Sequence, residues 1–210
     1  MKSAEGRTRI FRDDHDYAAF EGLLARVHKR LPTRILSYCL MSNHWHLVLW
    51  PKEDRELSDF VRLLGAAHTQ CWQDMHPTGR RGPLCPGRFK SYPIQPNQYL
   101  LDACRHVERN APEAKLVERA EDWQWSSAVK RGRNRPAWLL ADSAWPVPRP
   151  SNWLKLLNTE PSVEEWTRIQ LSETRSRPLG DEKWVRRTAK VQELESTVRP
   201  QGRPRNVESD

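Results

Sequence analysis

The clearest strand pattern in the chain is found in the segment Tyr38-Cys-Leu-Met-Ser-Asn-His-Trp-His-Leu-Val-Leu-Trp50. It holds two runs rich in apolar and aromatic residues, with the polar pair Ser42-Asn43 between them. Runs of this kind predict β-strands, and Ser and Asn favour the turn that joins two strands. The sequence therefore predicts one strand over residues 33–41, a second over 44–50, and a hairpin between them.

Two histidines lie in the second predicted strand, separated by one residue. Because side chains alternate along a strand, His44 and His46 should project from the same face, with Cα atoms roughly 7 Å apart. Two imidazoles at this separation can converge on one divalent cation. Trp45, Leu47 and Leu49 should project from the opposite face, where Trp45 can pack in the core.

Helices are predicted before and after the hairpin, since apolar residues recur there at steps of three and four. The predicted helices run from a cap at Asp13 or Asp14 to Val27, over residues 57–71, and from Pro96-Asn97 to Val107. A further short strand is expected over Arg88–Ile94. This order of elements indicates an α+β domain in which helices pack on an antiparallel sheet.

The charge of the chain favours an anionic partner. Its 210 residues include 35 Lys and Arg against 27 Asp and Glu, a formal net charge of +8. Residues 175–205 alone hold nine basic side chains against four acidic ones. Such a surplus is typical of a segment that contacts phosphates. No stretch approaches the roughly 20 apolar residues that a membrane span requires, so no membrane partner is expected.

Composition also indicates how the chain is divided. We predict a domain over residues 1–130, an Arg- and Pro-rich linker over 131–150, and a helical, basic C-terminal appendage over 151–210. In the appendage, Ser162-x-x-Glu165 has the pattern of a capping box that begins a helix, and a second helix is expected over Glu182–Glu193.

Several further residues are candidates for contacting DNA. One short run without acidic residues contains Arg80, Arg81, Arg88 and Lys90. A Gly-Arg-Pro-Arg segment contains Arg203 and Arg205, and it is similar to arms that place Arg in a narrow minor groove. Aromatic side chains can stack on unpaired bases, and the candidates for this role are Trp50, Phe89 and Tyr92.

The hairpin resembles that of the HUH single-strand transposases, which include the IS200-like enzymes, and in particular that of the REP-associated tyrosine transposases. Further blocks resemble the same family in the same order. They are Ile10-Phe-Arg-Asp-Asp14, Gly87-Arg-Phe-Lys-Ser91, Arg105-His-Val-Glu-Arg-Asn110, Leu116 to Ser127, and Arg177-Pro-Leu-Gly-Asp-Glu-Lys-Trp184. The resemblance extends over nearly the whole chain from residue 8 onward.

The resemblance implies a fold and an activity. The fold would be a ferredoxin-like antiparallel sheet with helices on one face. Members of the family cut and rejoin single-stranded DNA at hairpins with Mg²⁺ or Mn²⁺, and a helix tyrosine attacks the phosphate. The positions of the metal ligands are His44, His46 and Asn110. A bacterial cytoplasmic location at the nucleoid and a homodimer are further expectations.

Two departures from the family pattern affect these expectations. The tyrosine position is occupied by His106, and three accounts of it remain open. Either cleavage is lost and only DNA binding is kept, or Tyr99, seven residues earlier, substitutes, or His106 itself attacks or binds metal. In addition, the few residues before residue 10 leave little room for the family's first strand, so we expect it to be missing. The alternative functions are a non-catalytic DNA-binding protein derived from a transposase and an RNA-processing nuclease.

Overall fold

The computed structural model of the chain describes residues 2–3, 9–77, 82–85, 89–130 and 135–199. The strands are β1 (Lys2–Ser3), β2 (Arg34–Met41) and β3 (His44–Trp50). The longer helices are α1 (Asp14–Arg30), α2 (Glu56–Met75), α3 (Gln98–Glu108), α6 (Val163–Arg175) and α7 (Glu182–Val191). The short helices are α4 (Asn110–Glu113), α5 (Trp153–Leu157) and α8 (Glu195–Val198), with 3-10 turns at Ala120–Asp122 and Asp142–Ala144.

The predicted hairpin is confirmed. β2 and β3 pair antiparallel in a register that sets Met41 opposite His44 and Arg34 opposite Trp50. Ser42 and Asn43 form the turn. A single irregularity between Ile35 and Ser37 shifts the register near the start of β2.

The other edge of β3 is also paired, which the sequence did not predict. Lys2 and Ser3 form the two-residue strand β1, antiparallel to β3, with Lys2 opposite Trp45 and Ser3 opposite His44. The sheet order is β1-β3-β2, so the histidine strand is central. The expectation that the first strand is missing was therefore wrong for these two residues, which are too few to show any periodicity.

Helices cover both faces of the sheet. On one face Trp45 packs with α1 and α2 in a core that includes Phe20 and Leu64. On the other face Val48 packs with α3 through Leu101 and neighbouring side chains. The prediction of helices on one face was wrong. β2 has apolar side chains on both its faces, and one layer of helices would leave half of them in water.

The helix starts agree with the capping residues read from the sequence. Asp13 caps α1 by accepting from the backbone N–H of His15 at 3.0 Å. Ser162 caps α6 by accepting from the N–H of Glu165 at 3.1 Å. These bonds satisfy N–H groups that have no partner within the helix. Among the described residues no helix is both long and apolar enough to cross a bilayer.

The predicted strand at Arg88–Ile94 does not form in the part that is described, residues 89–94. Only Ile94 pairs, in an isolated parallel bridge to Leu179. Pro93 lacks the N–H that a ladder requires, which accounts for the failure.

The segment predicted as a linker contributes to the core where it is described. Leu139 is fully buried and forms an isolated bridge with Ile35 of β2, and Trp145 packs in the same core as α3. The division into domain, linker and appendage remains a prediction.

The described part of the predicted C-terminal appendage, residues 151–199, packs against α3. The guanidinium of Arg105 donates to the carbonyl of Leu156 at 2.9 Å and to that of Thr159 at 2.6 Å. It also forms an ion pair with Glu165 of α6 at 2.8 Å. Arg109, one turn later, donates to the carbonyl of Leu157. These contacts fix the end of α3 that faces the histidines.

Candidate functional site

The two histidines of β3 lie side by side on one face, as the alternation of the strand requires. The ring centroids of His44 and His46 are 4.9 Å apart and the rings are nearly perpendicular, at 81°. His46 is buried, His44 is partly buried, and Trp45 points away into the core formed with α1 and α2.

Asn110 joins this pair from the first residue of α4. Its Nδ2 lies 3.4 Å from Nε2 of His46, and its side chain also hydrogen-bonds to His44. The helix is interrupted at Arg109, which ends α3 and precedes α4 with φ −89° and ψ −2°, so Asn110 is not on an unbroken continuation of α3. The structure nevertheless brings together the three residues that the family resemblance implies.

The remaining nitrogen of each imidazole faces an acceptor. Nδ1 of His44 lies 2.7 Å from Oδ1 of Asn43. Nδ1 of His46 lies 3.6 Å from Oε1 of Glu173, within ion-pair range but longer than a hydrogen bond. Nε2 of His46 therefore faces Asn110 while its Nδ1 faces α6.

Burial favours the neutral form of both imidazoles. It lowers the pKa of His44, and the hydrogen bond from Asn110 and the charge of Glu173 only partly oppose it. Burial lowers the pKa of His46 well below its ordinary value, and the neighbouring His44 and His106 lower it further. A neutral imidazole has a free lone pair on one nitrogen, which is the form that binds metal.

His106, at the position of the family tyrosine, faces the same site. Its ring centroid is 6.1 Å from that of His46. Its Nε2 lies 3.2 Å from Oε1 of Glu173 and its Nδ1 lies 3.7 Å from Oε2 of Glu113. Burial acts to lower the pKa of His106, but the hydrogen bond and charge of Glu173, with the charge of Glu113, outweigh it and raise the pKa.

Glu173 is one of the site residues that the sequence did not predict. It comes from α6 in the appendage, and its side chain is 15% exposed. Burial acts to raise its pKa, but the hydrogen bond and charge of His106 and the charge of His44 lower it. Glu165, Ile169 and Glu173 recur at steps of four on one stripe of α6. That stripe was readable from the sequence, although nothing local tells which surface it packs against.

These residues line one open cavity of about 260 Å³, formed by His44, His46, His106, Asn110, Glu113, Ala114, Gln170 and Glu173. Within the described part of the chain, no three His, Cys, Asp or Glu side chains are grouped so as to hold a metal ion. Three ligands are available in this cavity only if the amide of Asn110 joins His44 and His46. The amide oxygen of Asn110 would face the cavity if the positions of its O and N atoms were exchanged. Two neutral imidazoles and an amide oxygen fit a divalent cation.

Tyr99 lies elsewhere. It lines a separate cavity of about 360 Å³ with Arg168 and Arg177, and the guanidinium carbon of Arg168 is 5.6 Å from the centre of its ring. The structure therefore does not bring Tyr99 into the cavity that contains the histidines.

Of the basic residues proposed to contact DNA, Lys90 is exposed. The others lie outside the described residues: Arg80, Arg81, Arg88, Arg203 and Arg205.

A larger cavity than that of the histidines lies at the far end of β3. It has a volume of about 660 Å³, and its wall includes Trp50, Tyr92, Trp184 and Arg187. The guanidinium of Arg34 lies over the Trp50 ring, 3.5 Å from its centre. Two of the three aromatic residues predicted to stack on bases, Trp50 and Tyr92, thus line this cavity, whereas Phe89 packs against the core.

The fold and site define an α+β protein with a histidine pair on the central strand of an antiparallel sheet. Residues 2–92 match the family described as Transposase IS200 like, which relates this part of the chain to the IS200-like transposases. The matched segment contains β1, the hairpin and both histidines, and it ends before α3, which carries His106. No curated protein and no solved structure matches the chain.

Proposed function

We propose that the protein binds single-stranded hairpin DNA at a Mg²⁺ or Mn²⁺ centre held by His44, His46 and Asn110, as a relative of the REP-associated transposases. The observation that carries the proposal is the meeting of these three side chains in one cavity, two of them inside the segment that matches the transposase family. A location in the cytoplasm at the nucleoid goes with this proposal.

The chemistry of the site supports phosphate binding. When bound, the cation supplies a Lewis acid that polarises a phosphate oxygen. His44 and His46 offer lone pairs because they are neutral, and the pairing of β3 on both edges gives them rigid support. The exposed Arg187 and the aromatic wall beside it can accept a backbone phosphate and an unstacked base.

The surroundings of His106 favour binding without covalent cleavage. An imidazole attacks through a nitrogen lone pair, but both nitrogens of His106 face carboxylates, those of Glu173 and Glu113. Tyr99 lines a different cavity. Of the three accounts of His106, loss of cleavage with DNA binding retained is therefore the one that we propose. The protein is then a DNA-binding protein derived from a transposase.

A binding experiment tests this function. The purified protein is titrated into a fluorescent DNA hairpin with a single-stranded flank, with Mn²⁺ or with EDTA. We expect saturable binding that Mn²⁺ strengthens and that unlabelled hairpin DNA competes away. Duplex DNA without a single-stranded flank, and RNA of the same sequence, are the matched competitors. Equal competition by RNA would favour the RNA-processing alternative, and absence of any binding would contradict the proposal.

A further inference from the structure

An acceptor lies beside Nδ1 of His44 and beside Nδ1 of His46, and the two acceptors come from different parts of the chain. Asn43, in the hairpin turn, holds Nδ1 of His44 at 2.7 Å. Glu173, in α6, lies on the Nδ1 side of His46 at 3.6 Å, while Asn110 lies on its Nε2 side at 3.4 Å. The carboxylate and the amide are thus on opposite sides of the His46 ring.

The positions of Glu173 and Asn110 influence which nitrogen of His46 carries the proton. A neutral imidazole has one N–H and one lone pair, and the acceptor placed at one nitrogen decides which is which. In metal sites the nitrogen that does not bind the metal usually donates to a carboxylate or a carbonyl, which fixes both the tautomer and the ring. A carboxylate accepts only, and its negative charge 3.6 Å from Nδ1 favours the proton on that nitrogen, which leaves the Nε2 lone pair facing Asn110.

Glu173 is held firmly enough for this role. One turn before it, Ile169 is buried at 2% exposure, and two turns before it Glu165 pairs with Arg105 at 2.8 Å. The same oxygen of Glu173 lies 3.2 Å from Nε2 of His106. Glu173 is therefore fixed from α6 and from α3.

We propose that Glu173 is a positioning residue that holds His46 in the Nδ1–H tautomer and so presents Nε2 to a divalent cation. The metal half of this inference rests on the proposed function, whereas the tautomer does not. It follows that the C-terminal appendage completes the site of His44 and His46, which both belong to the transposase-like segment.

The experiment uses the full chain with Glu173→Ala, Glu173→Gln and the control Glu164→Gln. Glu164 is exposed in the first turn of the same helix. Nitrogen-15 NMR of the metal-free protein reports the tautomer of His46. We expect the proton on Nδ1 in the unmodified protein and in the control, and a shift towards Nε2–H in Glu173→Ala. Gln keeps an acceptor oxygen but loses the negative charge, so Glu173→Gln should give a smaller shift than Glu173→Ala.

Mn²⁺ binding, followed by electron paramagnetic resonance, is the second readout. Loss of a carboxylate behind a ligating histidine typically weakens metal binding roughly 10–100-fold. We expect a loss in this range for Glu173→Ala, a smaller loss for Glu173→Gln and none for Glu164→Gln. The His44 signals, which depend on Asn43, report whether the fold survives each substitution.

Two results would overturn the inference and are distinguishable from failure of the proposed function. If the His46 proton is on Nδ1 equally in Glu173→Ala and in the unmodified protein, Glu173 does not set the tautomer. If Mn²⁺ binds Glu173→Ala as tightly as the unmodified protein, it does not position the ligand. If the unmodified protein binds no Mn²⁺, the proposed metal centre fails, and the NMR comparison alone decides the role of Glu173.

Discussion

Nε1 of Trp153 donates a 2.7 Å hydrogen bond to the carboxylate of Glu108, which is completely buried. Glu108 is on α3 and Trp153 begins α5, so this bond ties the appendage to the helix that carries His106. The other carboxylate oxygen accepts from the hydroxyl of Ser127 at 2.5 Å. A buried carboxylate needs such donors, since it cannot obtain them from water.

Trp153→Phe should destabilise the protein by about 1–3 kcal/mol, because a buried acceptor loses its donor. The measurement is the free energy of unfolding from urea denaturation. Trp166→Phe is the matched control. Trp166 is 46% exposed, and its Nε1 bonds to Glu113 at 3.1 Å where water can replace it. Equal effects of the two substitutions would show that the buried bond to Glu108 contributes no more to stability than the exposed bond to Glu113.

His46→Ala should abolish Mn²⁺ binding, because it removes one of the three proposed ligands and the partner of Asn110. His15→Ala is the control, since His15 is exposed at the start of α1. Calorimetric titration measures both variants, and EDTA should reverse binding to the control. Unchanged Mn²⁺ binding in the double variant His44→Ala/His46→Ala would place the metal elsewhere.

His106→Tyr should introduce covalent cleavage of hairpin DNA if His44, His46 and Asn110 form the working site. The tyrosine hydroxyl is the nucleophile of the family, and the protein with His106 should form no stable adduct. Labelled hairpins are incubated with Mn²⁺ and resolved on a denaturing gel, where an adduct appears as a slow band. An adduct with the unmodified protein would refute the binding-only proposal, and its loss in Tyr99→Phe would assign the attack to Tyr99.

Removing positive charge from α7 should weaken the salt dependence of DNA binding. The variant Lys183→Gln/Arg187→Gln/Lys190→Gln removes three exposed cations. Each lost phosphate contact should reduce the slope of log affinity against log salt by about 0.7 for a single strand. The control Arg26→Gln/Lys29→Gln/Arg30→Gln removes the same charge from α1. Equal changes in slope would mean that only total charge matters, and no change would exclude α7 from the interface.

The sequence predicted the parts of the fold that depend on local pattern. The hairpin, the long helices and the caps at Asp13 and Ser162 follow from periodicity and from residues that satisfy helix ends. β1 was missed because two residues carry no pattern. Helices on the second face were missed although the continuous apolar run of β2 is typical of a strand covered on both sides.

In the candidate site, too, the residues placed by local geometry could be predicted, and those placed by tertiary packing could not. His44 and His46 share a face because of strand geometry, so their meeting could be read from spacing alone. Asn110 and His106 came from a family resemblance. Glu173 could not be predicted, because its place depends on how α6 packs against α3, and that packing is set by contacts such as Arg105 with Glu165, 60 residues apart.

β3 also sets a length scale. His44 is at one end and Trp50, on the wall of the 660 Å³ cavity, is at the other. Six residues of strand span about 20 Å, whereas neighbouring phosphates of one helical DNA strand are about 3.4 Å apart along its axis. A mononucleotide is too short to reach both ends, so a ligand that contacts both cavities at once must be an oligonucleotide. The length of β3 thus sets the minimum length of a ligand that occupies both cavities.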